Sequence, residues 1–306
     1  MKTVYSTSMS IFKYIPDDAL TEEVKRILRE GRKEDINEKE NTITGNAQKV
    51  GGGRTYKRKR NRRHRRKTYK KKAGYKQKIR YLDGVDVIYW INLDRSTDRR
   101  QRMQQLFNDP VFKGKKIVRI PAIDGNSPNI DQILQSSLQG MQSDKCTKIE
   151  YAYTLSHLNA IKDFSQSNDD VALIMEDDMT LEFKPYWKQS VKQIMENAPN
   201  DWNIIQLCYN SNIGVPQNLY NTYLNGNFAC AGAYVLNKKK SLNQLNIFPQ
   251  NISHEADHYL FSLFNTYAYK YPMFIYGTNE QSTIHQNHVP GHDASKMMIL
   301  QYVYNQ

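Results

Sequence analysis

Three cysteines in 306 residues, Cys146, Cys208 and Cys230, stand far apart in the sequence and form neither a zinc spacing nor a disulfide framework. They predict reduced thiols in a cytosolic setting. No run approaches the ~20 apolar residues that span a bilayer, which excludes a helical membrane protein. Met1 to Tyr5 opens no apolar core of signal-peptide length. Glycine is scarce, at 15 residues, and no glycine-rich phosphate loop appears. That argues against a dinucleotide-binding fingerprint and against a P-loop. Acidic residues are missing altogether from residues 51–80, a stretch that holds 16 Lys and Arg.

This last absence locates the formal charge of +13. Residues 1–50 are balanced, with 9 basic and 9 acidic side chains, and residues 81–306 hold 19 basic against 22 acidic. The basic character belongs to one segment. The rest is mildly acidic, as expected of a soluble enzyme and not of a nucleic-acid-binding domain.

Three parts follow from these shifts. Residues 1–50 form an N-terminal extension with one short helical pattern, Asp17 to Gly31, whose Leu20, Val24, Ile27 and Leu28 share a face. Residues 51–80 open on Gly51-Gly52-Gly53 and continue as a polycation, predicted to be a disordered linker. Tyr56, Tyr69 and Tyr75 interleave with its charges, so residues 54–80 suit nucleic acid, an anionic surface, a nuclear localisation role or simply a solvated tail. Residues 81–306 alternate strand-like and helical patterns. Strands are expected at Val85–Ile91, Lys116–Ile120, Val171–Met175 and Asn203–Leu207, and helices at Thr97–Phe107, Tyr151–Phe164 and Pro185–Asn197. Ser96 or Thr97 is the expected cap of the first helix. This alternation predicts an α/β fold, a mainly parallel sheet flanked by helices, with ligands at the carboxyl ends of the strands.

Three segments at such ends carry chemistry. Ala172 to Met175 runs straight into Glu176-Asp177-Asp178. Three adjacent carboxylates repel one another, and a hard divalent cation would relieve them. The same triplet also reads as a solvated acidic turn. Asn92 to Arg100, where the first strand passes into a helix, places Arg95 and Arg99 beside backbone N–H groups, an anion-friendly surface or ordinary capping. Asp124 in Pro121-Ala122-Ile123-Asp124-Gly125 can accept from a ribose hydroxyl or a base N–H, and Gly125 suits a tight turn.

Together these segments resemble glycosyltransferase family 25, which contains lipopolysaccharide galactosyltransferases and procollagen galactosyltransferases. The resemblance rests on Asn92-Leu93 with Arg95, Asp98 and Arg99, then Ala122-x-Asp124-Gly125, Leu155-Ser156-His157-Leu158-x-Ala160, and Glu176-Asp177-Asp178. Gly232-Ala233-Tyr234 and Asp257-His258-Tyr259-Leu260 follow in order, with Gln281-Ser282 a looser match. It covers roughly residues 84–285. The family's Gly-Glu-x-Gly pattern is reduced here to Ile149-Glu150-Tyr151-Ala152, which keeps only the Glu. The Gly-rich, basic run of 51–80 resembles runs attached to proteins of large DNA viruses.

The resemblance implies a GT-A-type nucleotide-diphospho-sugar transferase fold over residues 81–306. It implies a UDP-sugar donor and Mn²⁺ (or Mg²⁺) as cofactor. Asp178 and Glu176 would serve the metal, with His285 as a late ligand. Asn92, Arg95, Arg99, Asp124, Glu176 and Asp177 would serve the nucleotide. It implies an inverting transfer of galactose or glucose to a hydroxyl of a saccharide or protein, such as collagen-like hydroxylysine. Asp257 is the expected general base and Glu255 its rival. His157, inside a helix, reads as a packed residue, and His285, His288 and His292 cluster late in the chain. The competing reading is a polybasic nucleic-acid or anionic-surface binding protein on an inactive glycosyltransferase fold.

Overall fold

Val87 to Ile91 is a run of β-branched and aromatic residues with no breaker, and Asn92 ends it. It forms the fully buried strand β1 (Val87–Asn92). The computed structural model describes residues 79–137, 146–210, 216–223, 228–245, 252, 256–277 and 289–304. The helical pattern at 17–31, the polybasic stretch up to 78, Glu255 and His285 lie outside the described residues. After β1 come α1 (Thr97–Leu106), β2 (Lys116–Pro121), α2 (Ile130–Ser137), α3 (Lys148–Gln166), β3 (Val171–Glu176) and β4 (Met179–Thr180). The chain continues through α4 (Val191–Asn197), β5 (Ile204–Gln206), β6 (Tyr220–Thr222), β7 (Ala233–Asn237), α5 (Leu242–Leu245) and α6 (Ala256–Leu263). Strands β8 (Thr266–Tyr269) and β9 (Ile275–Tyr276) precede α7 (Val289–Ile299).

Seven strands form one sheet in the order β2-β1-β3-β7-β5-β8-β6, and β4 pairs with β9 in a second. Strand β1 runs parallel to both β2 and β3, and β5 runs parallel to β8. Strand β7 enters antiparallel between β3 and β5, and β6 is antiparallel to β8. Five of the seven strands therefore point one way, the mainly parallel α/β sheet that the sequence predicts. The antiparallel β7 needs no crossover helix from β5, and none stands between them among the described residues.

Two expected helices differ in detail. The pattern at Pro185–Asn197 is a 3₁₀ turn, Lys184–Tyr186, then extended chain at Trp187, then α4. One long-range and one local contact impose the break. Trp187 is buried and donates its indole N–H to the Met273 carbonyl at 2.7 Å. Ser190 and Gln193 then start a new helix with a reciprocal capping box. Ser96 does occupy the cap position of α1, but its side chain makes no cap hydrogen bond. Helix α3 begins at Lys148, because Thr147 and Glu150 form a capping box.

Strand alternation divides the core in two. Val87, Tyr89 and Ile91 of β1, with Ala172 and Ile174 of β3, pack with the α3 residues Leu155, Leu158 and Ile161. Ile88 and Trp90, with Leu173 and Met175, pack on the opposite face with Met103 of α1. Period-two geometry thus fixes which face each residue at the strand ends will meet.

Candidate active site

That alternation sorts the acidic triplet. Glu176 follows Ile174 in phase and turns toward α3, where Tyr153 donates its hydroxyl to Glu176 Oε1 at 2.6 Å. Asp177 turns toward α1. It accepts from Asn92 Nδ2 at 2.6 Å and from Arg99 Nη1 at 2.7 Å. Asp178 Oδ2 lies 3.6 Å from the same guanidinium nitrogen. The crowding of the three carboxylates is thus relieved by the protein's own side chains, Tyr153 at Glu176 and Arg99 at Asp177 and Asp178. Burial would raise the Glu176 carboxyl, but His157, Tyr153 and Arg99 together hold it below its ordinary range. Burial, with the charges of Glu176 and Asp257, pushes the Tyr153 hydroxyl well up, so it stays a donor.

Asn92 is a buried keystone of this corner. Its Oδ1 accepts from Arg100 Nε at 3.2 Å and Arg119 Nε at 3.0 Å, while its Nδ2 holds Asp177. Arg119 of β2 also donates to Asp94 at 2.6 Å. Arg95 pairs with Asp124 through Nε at 2.6 Å, and the Asn126 backbone N–H closes an Asx turn onto the same carboxylate.

Between these groups opens a cleft. Asn92, Leu93, Arg95 and Arg99 line one wall, Ala122 to Asn126 a second, and Ile149, Tyr153 and Ser156 of α3 a third. Glu176 and Asp177 form its floor. The cleft sits beyond the carboxyl ends of β1, β2 and β3, where the chain passes outward from β1 to β2 and then back across β1 to β3. Gly125 is needed there for a reason other than the expected turn. Its φ is not left-handed, but a Cβ on it would stand 2.5 Å from Ile149 Cα. The close approach of loop to helix is made at Gly125, against the backbone of Ile149.

Of the residues singled out in the sequence, Asn92, Arg95, Arg99, Asp124, Glu176 and Asp177 line this one cleft. Asp178 stands at the adjoining turn, whose carbonyl accepts from the Gly277 backbone N–H at 3.0 Å. Asp257 lies in the first turn of α6. Its Oδ2 accepts from the Cys230 N–H and its Oδ1 from the His258 N–H, both at 2.9 Å. His157 is fully buried, as expected, yet it belongs to the site. Its Nδ1 is 3.2 Å from the Tyr234 hydroxyl, and its Nε2, which has no hydrogen-bond partner, stands 3.7 Å from Glu176 Oε1. Sequence reading missed Tyr153, Arg100 and Arg119 as site residues. Tyr153 and His157 are four apart on one helix, and that shared face was the available signal.

The sequence profile of "Glycosyltransferase family 25 (LPS biosynthesis protein)" matches residues 85–260. The chain belongs to glycosyltransferase family 25. The match runs from the strand before Asn92 to the helix carrying Asp257, so the cleft lies wholly inside it. A "Glycosyltransferase 25 family member" of Aedes aegypti is 29% identical over 131 residues, 40% of this chain and 21% of that protein. "Procollagen galactosyltransferase 1-A" of Xenopus laevis is 29% identical over 132 residues, and "Procollagen galactosyltransferase 2" of Homo sapiens 28% over 134. Each of these two covers 40% of this chain and 21% of its own length, so the chain spans about a fifth of these relatives. The solved apo structure of mouse xyloside xylosyltransferase 1 aligns with 50% of this chain and 54% of its own. At 14% identity and a TM-score of 0.27 it carries no argument here.

Proposed function

We propose that this family 25 chain transfers a hexose from a UDP-sugar to a hydroxyl group, with inversion at the anomeric carbon. The printed names of the procollagen relatives favour galactose as the hexose and a protein hydroxyl as acceptor. One observation supports this reading above the others: Arg95, Arg99, Asp124, Glu176 and Asp177 all line one cleft at the carboxyl ends of parallel strands. The rival reading, an inactive fold carrying a polybasic binding segment, would not require a cleft so equipped.

The donor set suits a divalent cation brought in with a diphosphate. Asp177 and Asp178 offer hard carboxylate oxygens, the donor class of Mn²⁺ and Mg²⁺, which commonly take one or two carboxylates plus substrate phosphates. Among the described residues no group of three or more His, Cys, Asp or Glu side chains is gathered to hold a metal. When bound, such a cation neutralises charge on the leaving diphosphate. Asp178 would be the direct ligand, while Asn92 and Arg99 hold Asp177 beside it in the chain.

The chain's own residues do the rest. Asp124, oriented by Arg95 and the Asn126 N–H, accepts from a ribose hydroxyl. Tyr153 and His157 hold Glu176 at the floor of the cleft. Asp257 takes the proton of the acceptor hydroxyl as that oxygen attacks the anomeric carbon and the bond to the diphosphate breaks. Two backbone N–H groups fix its carboxylate, and its remaining lone pairs are the ones that serve as base.

The test is UDP release from UDP-galactose and UDP-glucose, with and without Mn²⁺, in the presence of a hydroxylysine-containing collagen peptide or a saccharide. Mn²⁺-dependent release that rises with acceptor is the expected result. Absence of turnover with every hexose donor and acceptor would overturn the reading.

A further inference from the structure

Cys230 lies 22 positions after Cys208 in sequence, yet the fold sets their Sγ atoms 3.5 Å apart. Distance along the sequence hides this contact, and the backbone explains it. Gln206 of β5 pairs with Tyr234 of β7, and beyond the strand ends Asn210 bridges Ala229. Four steps along one chain thus face five along the other, which is a β-bulge. Leu207 and Cys208 both donate to the Ala233 carbonyl at the irregularity. Within this irregular stretch Cys230 takes φ 93°, the left-handed region that a non-glycine residue adopts only when its surroundings impose it. The bulge turns the Cys230 side chain onto Cys208.

Both thiols are reduced here, Cys208 buried and Cys230 partly exposed. We propose that Cys208 and Cys230 are a modification site: a low-molecular-weight disulfide oxidises them to an intramolecular cross-strand disulfide beside the cleft. Closing the bond brings the sulfurs from 3.5 Å to about 2.05 Å. The exchange balances in two steps. The Cys230 thiolate attacks oxidised glutathione, forms a mixed disulfide and releases one glutathione thiolate. Cys208 then loses its proton, attacks the Cys230 sulfur and releases the second. The protein is oxidised by two electrons and one glutathione disulfide is reduced to two thiols.

Relative exposure sets this order, because Cys230 is the less buried of the two thiols. The hydrogen bond with Cys208, then burial, push the Cys230 thiol up, so the exchange should quicken as pH rises. The bond would fix the bulge from which the Cys230 N–H holds Asp257 and the Gly232 carbonyl accepts from the Glu176 N–H at 2.8 Å.

The full chain is reduced, desalted, treated with excess oxidised glutathione, alkylated in denaturant and digested for mass spectrometry. A peptide pair joined through Cys208 and Cys230, lighter by two hydrogens and restored by dithiothreitol, is expected. In Cys208→Ser, Cys230 should accumulate as the stable glutathione mixed disulfide, because the resolving thiol is gone. In Cys230→Ser, Cys208 should stay alkylatable. Two alkylated cysteines at 208 and 230 in the treated wild type would overturn the proposal. So would a persistent wild-type mixed disulfide at Cys230, or an unmodified Cys230 in Cys208→Ser. Because the readout is a mass, its failure is distinct from a failure of sugar transfer.

Discussion

Arg99 donates to Asp177 across 2.7 Å, and the two side chains are only 13% and 10% exposed. The same guanidinium nitrogen stands 3.6 Å from Asp178, so one cation serves two consecutive carboxylates. Arg99→Ala leaves these anions facing each other in a poorly solvated corner. Removing one partner of a buried pair costs roughly 3–5 kcal/mol. Urea denaturation of the variant should show a loss of that order, and an unchanged midpoint would show that the pair contributes nothing.

Asp178→Ala acts on the same corner in the opposite sense. It removes one of the adjacent negative charges and leaves the stronger Arg99–Asp177 bond in place. Stability without metal should hold or rise, while Mn²⁺-dependent UDP release is lost. Turnover at the wild-type level, with its Mn²⁺ dependence intact, would remove Asp178 from the proposed metal site.

Gly125→Ala tests the contact between the loop after β2 and the start of α3. The new methyl would meet Ile149 Cα at 2.5 Å, Cγ1 at 3.0 Å and the backbone nitrogen at 3.1 Å. A side chain can yield, but a helical backbone cannot without moving its helix. Overpacking of this kind costs about 1–3 kcal/mol, and donor affinity should weaken because both segments line the cleft. Ile149→Ala added to the variant relieves only the Cγ1 contact, so it should fail to restore the denaturation midpoint. Full restoration would place the clash in the side chain.

The layout of the site was legible where alternation in a buried strand carries the information. Val171 to Met175 announces a strand, and three carboxylates at its end announce a site. Period two then sends Glu176 and Asp177 to opposite faces. The partners waiting on those faces were partly legible. Arg99 stands in the first helix and was expected near the cleft, whereas Tyr153 and Arg119 reach it through register and helix docking, which no local pattern encodes. The antiparallel β7 was not expected, because Ala233 to Leu236 is as apolar as a parallel strand and its direction depends on pairing alone. The Cys208–Cys230 contact was hidden for the same reason, since it exists only through a bulge between two paired segments.

Asp124 offers a pH test. The Arg95 hydrogen bond, against partial burial and with help from the Asn126 N–H, holds its carboxyl below the ordinary range. A carboxyl lowered in the folded state contributes stability above its unfolded value, near 3.9, and loses it as pH falls through the folded value. In Arg95→Gln the Asp124 carbon resonance should titrate at higher pH than in the wild type. The stability difference between the two proteins should be present near neutrality and vanish in acid. Since half of Arg95 is exposed, salt should shrink the difference. Coincident titration curves would show that Arg95 does not hold the Asp124 charge.

Asp257→Asn separates two roles that the geometry gives one carboxylate. As an anchor, Asp257 accepts the Cys230 and His258 N–H groups through different oxygens. As the proposed base, it must take a proton from the acceptor. Asparagine keeps the shape and one carbonyl oxygen, so it can retain one of the two anchoring bonds, but it is not basic. If the base role holds, transfer should fall by ~10²-fold or more, the scale of general-base catalysis, while UDP-sugar affinity stays within a few-fold. The anchor alone predicts a different pattern: a lower denaturation midpoint, weaker donor binding through the Cys230–Gly232 turn, and a modest loss of transfer that tracks the fraction folded. Glu255→Gln is the companion variant. Transfer that survives in Asp257→Asn and collapses in Glu255→Gln would move the base two residues upstream and leave Asp257 as the anchor of the bulge.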